Sequence, residues 1–328
     1  MQEFTGTQYL KIDIANQFGL DRLNWDDRLH WVQNNHPELE TLSTGAKVPL
    51  AYDKAVRALR VSEMGLSINH IMGLDATASG VQVMACMSGC VSAAKTVNLV
   101  NTGKRMDLYE ATAAVMSNLI DIKMLRNDLK KPIMTFFYGS QAQPEQVFGD
   151  GPDLQAFHRT LKETLPGPYE LMQLFQSFWD PTADRYEWAM PDGHVVHVPV
   201  TQKVDKGLEI DEASHLRFTY RAEVQAPQRQ GRALAANIVH SVDGWIARLM
   251  SKMCQKQGFY MAPLHDNFYA HPNNMGQVRE NYVKCLAKAA DMNLVSMILS
   301  QIAGRDVVYS KLDNNLGRLI EDAEYALS

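Results

Sequence analysis

Three side chains in the stretch from Leu125 to Ser140, LRNDLKKPIMTFFYGS, have types and spacing suited to a polyanion. Arg126, Lys130 and Tyr138 stand 4 and 12 residues apart. At about 100° per residue on a helix, all three fall within roughly a third of its circumference. Two cations and a phenol on one face suit a nucleoside triphosphate: charge for the phosphates, an aromatic edge for sugar or base. The same pattern also describes an amphipathic helix with a solvated basic face. Two acids bear on the choice. Asp75 follows Ile71-Met72-Gly73-Leu74, and Asp266 follows Tyr260 to Leu264. Each sits where a strand or tight turn would end and present a carboxylate to a cleft. Two such acids from distant strands can hold two divalent cations about 4 Å apart, the arrangement for in-line phosphoryl displacement. Mg²⁺ suits carboxylate oxygens completed by substrate phosphates. Either acid alone would read as a turn residue or a helix cap.

Other chemistries fit the same residues less well. His265-Asp266 would serve a metal phosphohydrolase only on a helix with further His and Asp ligands, and its context is a turn. Asp75 would be a phosphatase nucleophile of the Asp-x-Asp type, but position 77 is Thr. Neither a P-loop nor a dinucleotide-binding glycine pattern occurs.

The elements that must position these groups follow from caps, periodicity and turns. A short strand is expected at Tyr9–Ile14. Asn24 caps a helix to about Gln33, and a second helix runs from about Ala51 to Met64. Ile68–Asp75 is an apolar run closed by its acid. Gly80–Ser88 reads as a helix capped by Ser79, and Met106–Ile120 as a helix with Asp107 in its first turn. Pro132 interrupts the Arg126 helix; at about 3 kcal/mol for an interior proline, a start or kink is expected there, with Arg126 and Lys130 before it and Tyr138 at the far end. Two or three helices fill 141–185, broken at Gly151-Pro152 and Gly167-Pro168. Pro191-Asp192-Gly193 turns a hairpin over Tyr186–Val200, and Leu216–Val224 is a further strand. A long helix from Arg232 to about Lys256 carries His240. A strand from Gly258, a turn at His265-Asp266 and a return strand to Tyr269 come next; Pro263 marks an edge or irregular strand. Helices near 274–288 and 293–303 close the chain. With strands toward the two ends and helices between, the pattern is α+β, a sheet assembled from both ends around a helical insertion.

Composition sets outer bounds. The chain has 328 residues, 46% hydrophobic and 21% charged, with a net charge of −5. That is globular material, and the negative balance argues against a general coating affinity for nucleic acid while leaving room for a local basic groove. No run of about 18 apolar residues lacks a charge or a histidine, so no membrane span is expected. The start, MQEFTGTQYLKID, lacks the basic-then-apolar pattern of a signal peptide. Four cysteines (Cys86, Cys90, Cys254, Cys285) are too few for a disulfide framework and read as buried thiols of a reducing cytosol.

The ordered motifs resemble those of the single-subunit DNA-directed RNA polymerases of phage and mitochondrial type. LDATASGVQ (74–82) is similar to the family's first palm motif, Arg126 through Lys130 to MTFFYGS to its fingers helix, and LHDNF (264–268) to its second metal motif, His-Asp-Ser-Phe. YLKIDIANQFGLD (9–21), VNL (97–99), DLY (107–109), MPDG (190–193) and NIVHSVDG (237–244) fill the gaps. The resemblance implies a right-hand palm, antiparallel sheet plus helices, with a mainly helical fingers insertion: palm in 1–103 and 241–328, fingers in 104–240, with a promoter- or template-facing hairpin near 186–224.

Roles carried by the resemblance are these. Asp75 and Asp266 bind two Mg²⁺ ions, with the Ala76 carbonyl as a further ligand. Arg126 and Lys130 grip the triphosphate, Lys130 protonating the leaving pyrophosphate, and Lys11 adds a weaker phosphate contact. Tyr138 packs under the incoming nucleotide and takes part in choosing ribose. His240 contacts the 2′-hydroxyl side, Tyr109 supports the sugar pocket, and His265 positions the primer end. Ser79-Gly80-Val81-Gln82 replaces the bulky acidic gate of related DNA polymerases, which favours rNTPs. The family's thumb and promoter-opening part have no counterpart before Tyr9. A second subunit supplying them is therefore expected, as in the heterodimeric enzyme of N-four-like phages, with the closing Tyr325-Ala326-Leu327-Ser328 departing from the family's Phe-Ala-Phe-Ala. DNA template, RNA product and rNTPs are the expected partners, a single-stranded-DNA-binding accessory protein among them, in the cytoplasm of an infected host. The alternatives are a polymerase-like scaffold without catalysis and a DNA-synthesising or primase-like relative.

Overall fold

The computed structural model describes residues 1–140, 142–210, 215–228 and 233–328. In chain order its helices and strands are α1 (Gly6–Ala15), α2 (Trp25–Asn34), α3 (Pro49–Glu63), β1 (Met72–Asp75), α4 (Ser79–Ser88), α5 (Val91–Thr96), α6 (Leu108–Ile120), α7 (Arg126–Phe137), α8 (Ala142–Phe148), α9 (Pro152–Thr164), α10 (Pro166–Ser177), β2 (Arg185–Ala189), β3 (Val195–Pro199), β4 (Thr201–Ile210), β5 (Leu216–Gln225), α11 (Ala233–Lys256), β6 (Ala262–Leu264), β7 (Asn267–Ala270), α12 (Met275–Asp291), α13 (Leu294–Ala303) and α14 (Leu316–Ile320). The mixture of helices with small antiparallel sheets is α+β.

The sheet that matters for the site is assembled from both ends of the chain, as its sequence implies. It has the order β1-β7-β6, all antiparallel, with Leu74 opposite Phe268 and Asp75 opposite Asn267. Met72, Leu74, Phe268 and Ala270 are buried on its core face. Gln82 on α4, wholly buried, ties the layers beneath: its amide donates to the carbonyls of Val97 and Ala326, and its Oε1 accepts from the Tyr282 hydroxyl on α12 at 2.8 Å. The segment around Leu327 bridges to Ala76, and the Ser328 N–H donates to the Asp75 carbonyl at 2.9 Å. Asp75 is therefore held by backbone bonds from a segment distant in sequence.

Tyr9–Ile14 is helical, not a strand. Thr5 and Gln8 form a reciprocal capping box at the start of α1. The alternation of apolar residues misleads because α1 is wedged between two cores: Tyr9 and Ile12 pack into the main one, Leu10 and Ile14 into a second one with α3. A helix buried on several sides has no single apolar stripe. Pro132 does not start α7, which runs unbroken from Arg126. Its start is fixed by the Leu125 N–H donating to the Asp128 carboxylate, and its end by Gly139 at φ 85 with Ser140 N–H donating to the Thr135 carbonyl. Leu129, Ile133, Phe136 and Phe137 are buried along it, and that packing outweighs one lost ladder bond. Ser79 is the first residue of α4 rather than its cap; Ala78 precedes it in a left-handed conformation. The break between α9 and α10 falls at Leu165-Pro166. Gly167 and Pro168 lie in the first turn of α10, where missing donors cost nothing.

The hairpin β2–β3 turns at Pro191-Asp192-Gly193 as expected and is fastened to α11 by Arg248, whose guanidinium donates twice to Asp192 at 2.6 and 3.0 Å. β4 was not anticipated; it pairs with β5 over ten residues into a solvent-facing ribbon. The expected start of α11 at Arg232 lies outside the described residues. All four cysteines are buried free thiols. Among the described residues, no helix is long and apolar enough to cross a membrane.

Candidate active site

Asp75 ends β1, and Asp266 occupies the tight turn between β6 and β7, where His265 adopts a left-handed φ of 55. The Ala76 N–H donates to the Asp266 carbonyl at 2.9 Å, which locks the two acid-bearing segments together. Both acids line one cleft of about 190 Å³. The Asp75 side chain is still open to solvent at the cleft, yet desolvation by the surrounding protein, then the charges of Asp266 and Asp21, push its carboxyl up to about 6, against the opposing pull of Lys130 and Arg105. A third acid, Asp243 on α11, is pushed up to about 7 by burial and by Asp266. Crowded carboxylates with raised pKa values are what a bound cation would relieve.

The cationic wall comes from α7. Arg126 Nε donates to the Asp107 carboxylate at 2.7 Å, and its guanidinium lies 5.1 Å from the Tyr109 ring centroid. Asp107 is itself fixed, because it caps α6 by accepting from the N–H groups of Tyr109 and Glu110. Arg126 is thus oriented before any ligand arrives. Lys130, one turn on, lines the same cleft with Tyr109, Met134 and Arg105.

Tyr138 closes α7 beside a smaller recess that it shares with Ser79, Gly80, Tyr109 and Asp266. Its ring stacks on His240 with centroids 4.8 Å apart and planes 8° from parallel. A Cβ on Gly80 would sit 3.2 Å from the Tyr138 hydroxyl, so a larger residue there would crowd the phenol. Burial, then Asp243 and Asp266, raise the Tyr138 pKa. Burial and the neighbouring His265 lower that of His240, favouring the neutral imidazole.

The sequence-derived set is therefore largely brought together. Asp75, Ala76, Asp266, Arg126, Lys130 and Tyr109 line the cleft, and Tyr138 lines the recess that opens from it. His240 and His265 stand beside that recess without lining the cleft. Lys11, on α1, is not among the lining residues. Missing from the sequence reading were Asp21, Arg22, Arg105 and the clamp role of Asp107. Asp243 lies one helical turn after His240 inside NIVHSVDG, a spacing that would have flagged it.

The acids that line the cleft offer oxygen donors to a cation. Among the described residues, no group of three or more His, Cys, Asp or Glu side chains converges on one point. Two carboxylates, a backbone carbonyl and water or substrate oxygens suit Mg²⁺ rather than zinc. Asn267, in register opposite Asp75, adds a buried Oδ1 with no hydrogen-bond partner.

Fold and site together define an α+β protein whose antiparallel sheet offers two acids to a cation-walled cleft. The chain belongs to the DNA-dependent RNA polymerase family, whose model matches residues 2–147 and 174–321. Its relatives include the mitochondrial DNA-directed RNA polymerase of Schizosaccharomyces pombe, 21% identical over 83% of this chain and 29% of that protein. The DNA-directed RNA polymerase 2, chloroplastic/mitochondrial, of Arabidopsis thaliana is 23% identical over 89% of this chain and 35% of its own. The DNA-directed RNA polymerase of Pseudomonas phage phiKMV is 21% identical over 85% and 42%. The chain spans less than half the length of these relatives.

Proposed function

We propose that this chain is the catalytic part of a DNA-directed RNA polymerase, adding rNTPs to an RNA 3′-hydroxyl on a DNA template. The observation that carries the reading is the placement of Asp75 and Asp266 on adjoining strand ends, in one cleft with Arg126 and Lys130. In this reading residues 1–103 and 241–328 form the palm, 104–240 the fingers, and the hairpins near 186–224 face promoter or template. A second polypeptide supplies the thumb, an accessory protein holds single-stranded DNA, and the complex works in the host cytoplasm.

Asp75, Asp266 and the Ala76 carbonyl would hold two Mg²⁺ ions, which supply a lowered pKa for the attacking hydroxyl and charge stabilisation for the leaving oxygen. The chain's own residues do the rest by positioning. Arg126, pre-set by Asp107, and Lys130 take the triphosphate, with Lys11 as an outer contact. His265 places the primer end. The 3′-hydroxyl loses its proton to solvent as its oxygen bonds to the α-phosphorus and the bond from that phosphorus to the α–β bridging oxygen breaks. The pyrophosphate leaves with a proton from Lys130. Tyr138 lies under the sugar, Tyr109 backs it, and neutral His240 meets the 2′-hydroxyl.

The test is Mg²⁺-dependent extension of an RNA primer on single-stranded DNA, with rNTPs against dNTPs, comparing wild type with Asp266→Ala. Extension with rNTPs that the variant lacks supports the reading. No extension, with or without the copurifying partner, would sink it and favour a non-catalytic scaffold; preference for dNTPs would favour the DNA-synthesising alternative.

A further inference from the structure

Two cations of the cleft, Arg22 and Arg105, have no place in the roles described so far, and Arg22 already pairs with Glu110 at 3.6 Å. Arg105 precedes α6 and lines the cleft alongside Asp75, Asp266, Arg126 and Lys130. It is half-buried, and that burial lowers its pKa, with Asp107 and Asp21 opposing. Its backbone N–H donates to Asn24 Oδ1 at 2.9 Å, and its Nε donates to the Ser328 hydroxyl at 3.0 Å. Both accepting atoms, an amide oxygen and a hydroxyl, are uncharged, and only the hydroxyl meets the guanidinium. Among the described residues it forms no ion pair, whereas Arg126 has Asp107 at 2.7 Å. A guanidinium carries five N–H donors, and among the described residues only Nε–H is engaged here. Withdrawing an unpaired guanidinium from water is costly unless an anion completes it. The cleft carries four carboxylates and four cations among its lining residues. Among the described residues Arg126 is clamped by Asp107 and Arg22 pairs with Glu110, so an anion that arrives with its own metal ions would meet Arg105, like Lys130, as a cation without a carboxylate partner.

We propose that Arg105 is a third triphosphate-binding cation, gripping the polyphosphate from the α6 side while Arg126 and Lys130 hold it from α7. Ser328 is its positioning residue: by occupying Nε it leaves the terminal N–H pair for bidentate phosphate contact. This rests on the nucleotidyl-transfer reading of the site, deepens it by one residue, and has a readout that does not depend on polymerisation.

The probe is inorganic tripolyphosphate with Mg²⁺, titrated calorimetrically into the full chain. Arg105→Ala should weaken binding roughly tenfold or more, the worth of a hydrogen bond between charged groups, with Tm not lowered. Ser328→Ala should weaken it less. In primer extension the KM for rNTPs should rise by a similar factor, with kcat changed less and primer–template affinity unchanged. If Arg105→Ala fails to fold, Arg105→Gln decides, since it keeps a polar side chain and removes only the charge. Equal tripolyphosphate affinity in wild type and either folded variant overturns the proposal, as does no binding by wild type. Arg105-dependent binding without primer extension upholds it while sinking the polymerase reading; extension with Arg105-independent binding does the reverse.

Discussion

The Tyr138 ring lies flat against the His240 imidazole, 4.8 Å between centroids and 8° between planes. The stack joins the end of α7 to α11 and places a phenol and a neutral imidazole at one recess. Such a pair contributes about 0.5–1.5 kcal/mol beyond burial. Its geometry couples Tyr138 and His240, so that in the proposed function they would act on the sugar as one unit rather than as two separate contacts.

Tyr138→Phe keeps the ring and the stack but removes the hydroxyl. It should relax discrimination against dNTPs by roughly tenfold, the worth of one hydrogen bond, with rNTP turnover retained. A misincorporation assay in which rNTP preference stays unchanged would remove the sugar-gate role.

Asp107 both caps α6 and orients Arg126. Asp107→Ala should lower kcat/KM for rNTPs roughly tenfold, consistent with a charge-assisted bond, and cost about 1 kcal/mol of stability through the lost cap. Arg126→Ala should lower kcat/KM further. Because Asp107 acts through Arg126, the double variant should be no slower than Arg126→Ala alone. Additive losses would show that Asp107 has an independent role.

Asp243 should leave a signature in stability against pH. Its carboxyl is raised to about 7 by burial and by Asp266. Between the ordinary carboxylate range and that value the folded state binds the extra proton, so ionisation as pH rises costs stability. Asp243→Asn removes that cost. It should stabilise the protein at pH 8 by on the order of 1–3 kcal/mol, with the gain closing as pH falls through 7 toward the ordinary range. Parallel Tm curves for wild type and variant from pH 4 to 8 would contradict the buried-acid assignment.

Much of this site was legible in the sequence because its parts are local signals. An acid closing an apolar run, a turn at His265-Asp266 and two cations one helical turn apart each announce themselves within a few residues. What escaped depends on contacts between distant segments. Tyr9–Ile14 alternates like a strand because two cores draw on different sides of one helix. Pro132 looks like a break because local cost is visible and the buried face of Leu129, Ile133 and Phe137 is not. Arg105 reads as a loop cation until Ser328, more than two hundred residues away, takes its Nε. β4 was missed because its alternation is broken by Gly207 and mixed charges, and its pairing with β5 supplies the order.

The most direct test of the central claim is the balance sheet of one reaction. A labelled RNA primer annealed to a DNA template is incubated with the chain, together with any polypeptide that copurifies with it, Mg²⁺ and the single complementary rNTP. The proposed function predicts lengthening by one nucleotide with one pyrophosphate released per addition, and neither with Asp266→Ala. Pyrophosphate release without lengthening, or lengthening that survives Asp266→Ala, would contradict it.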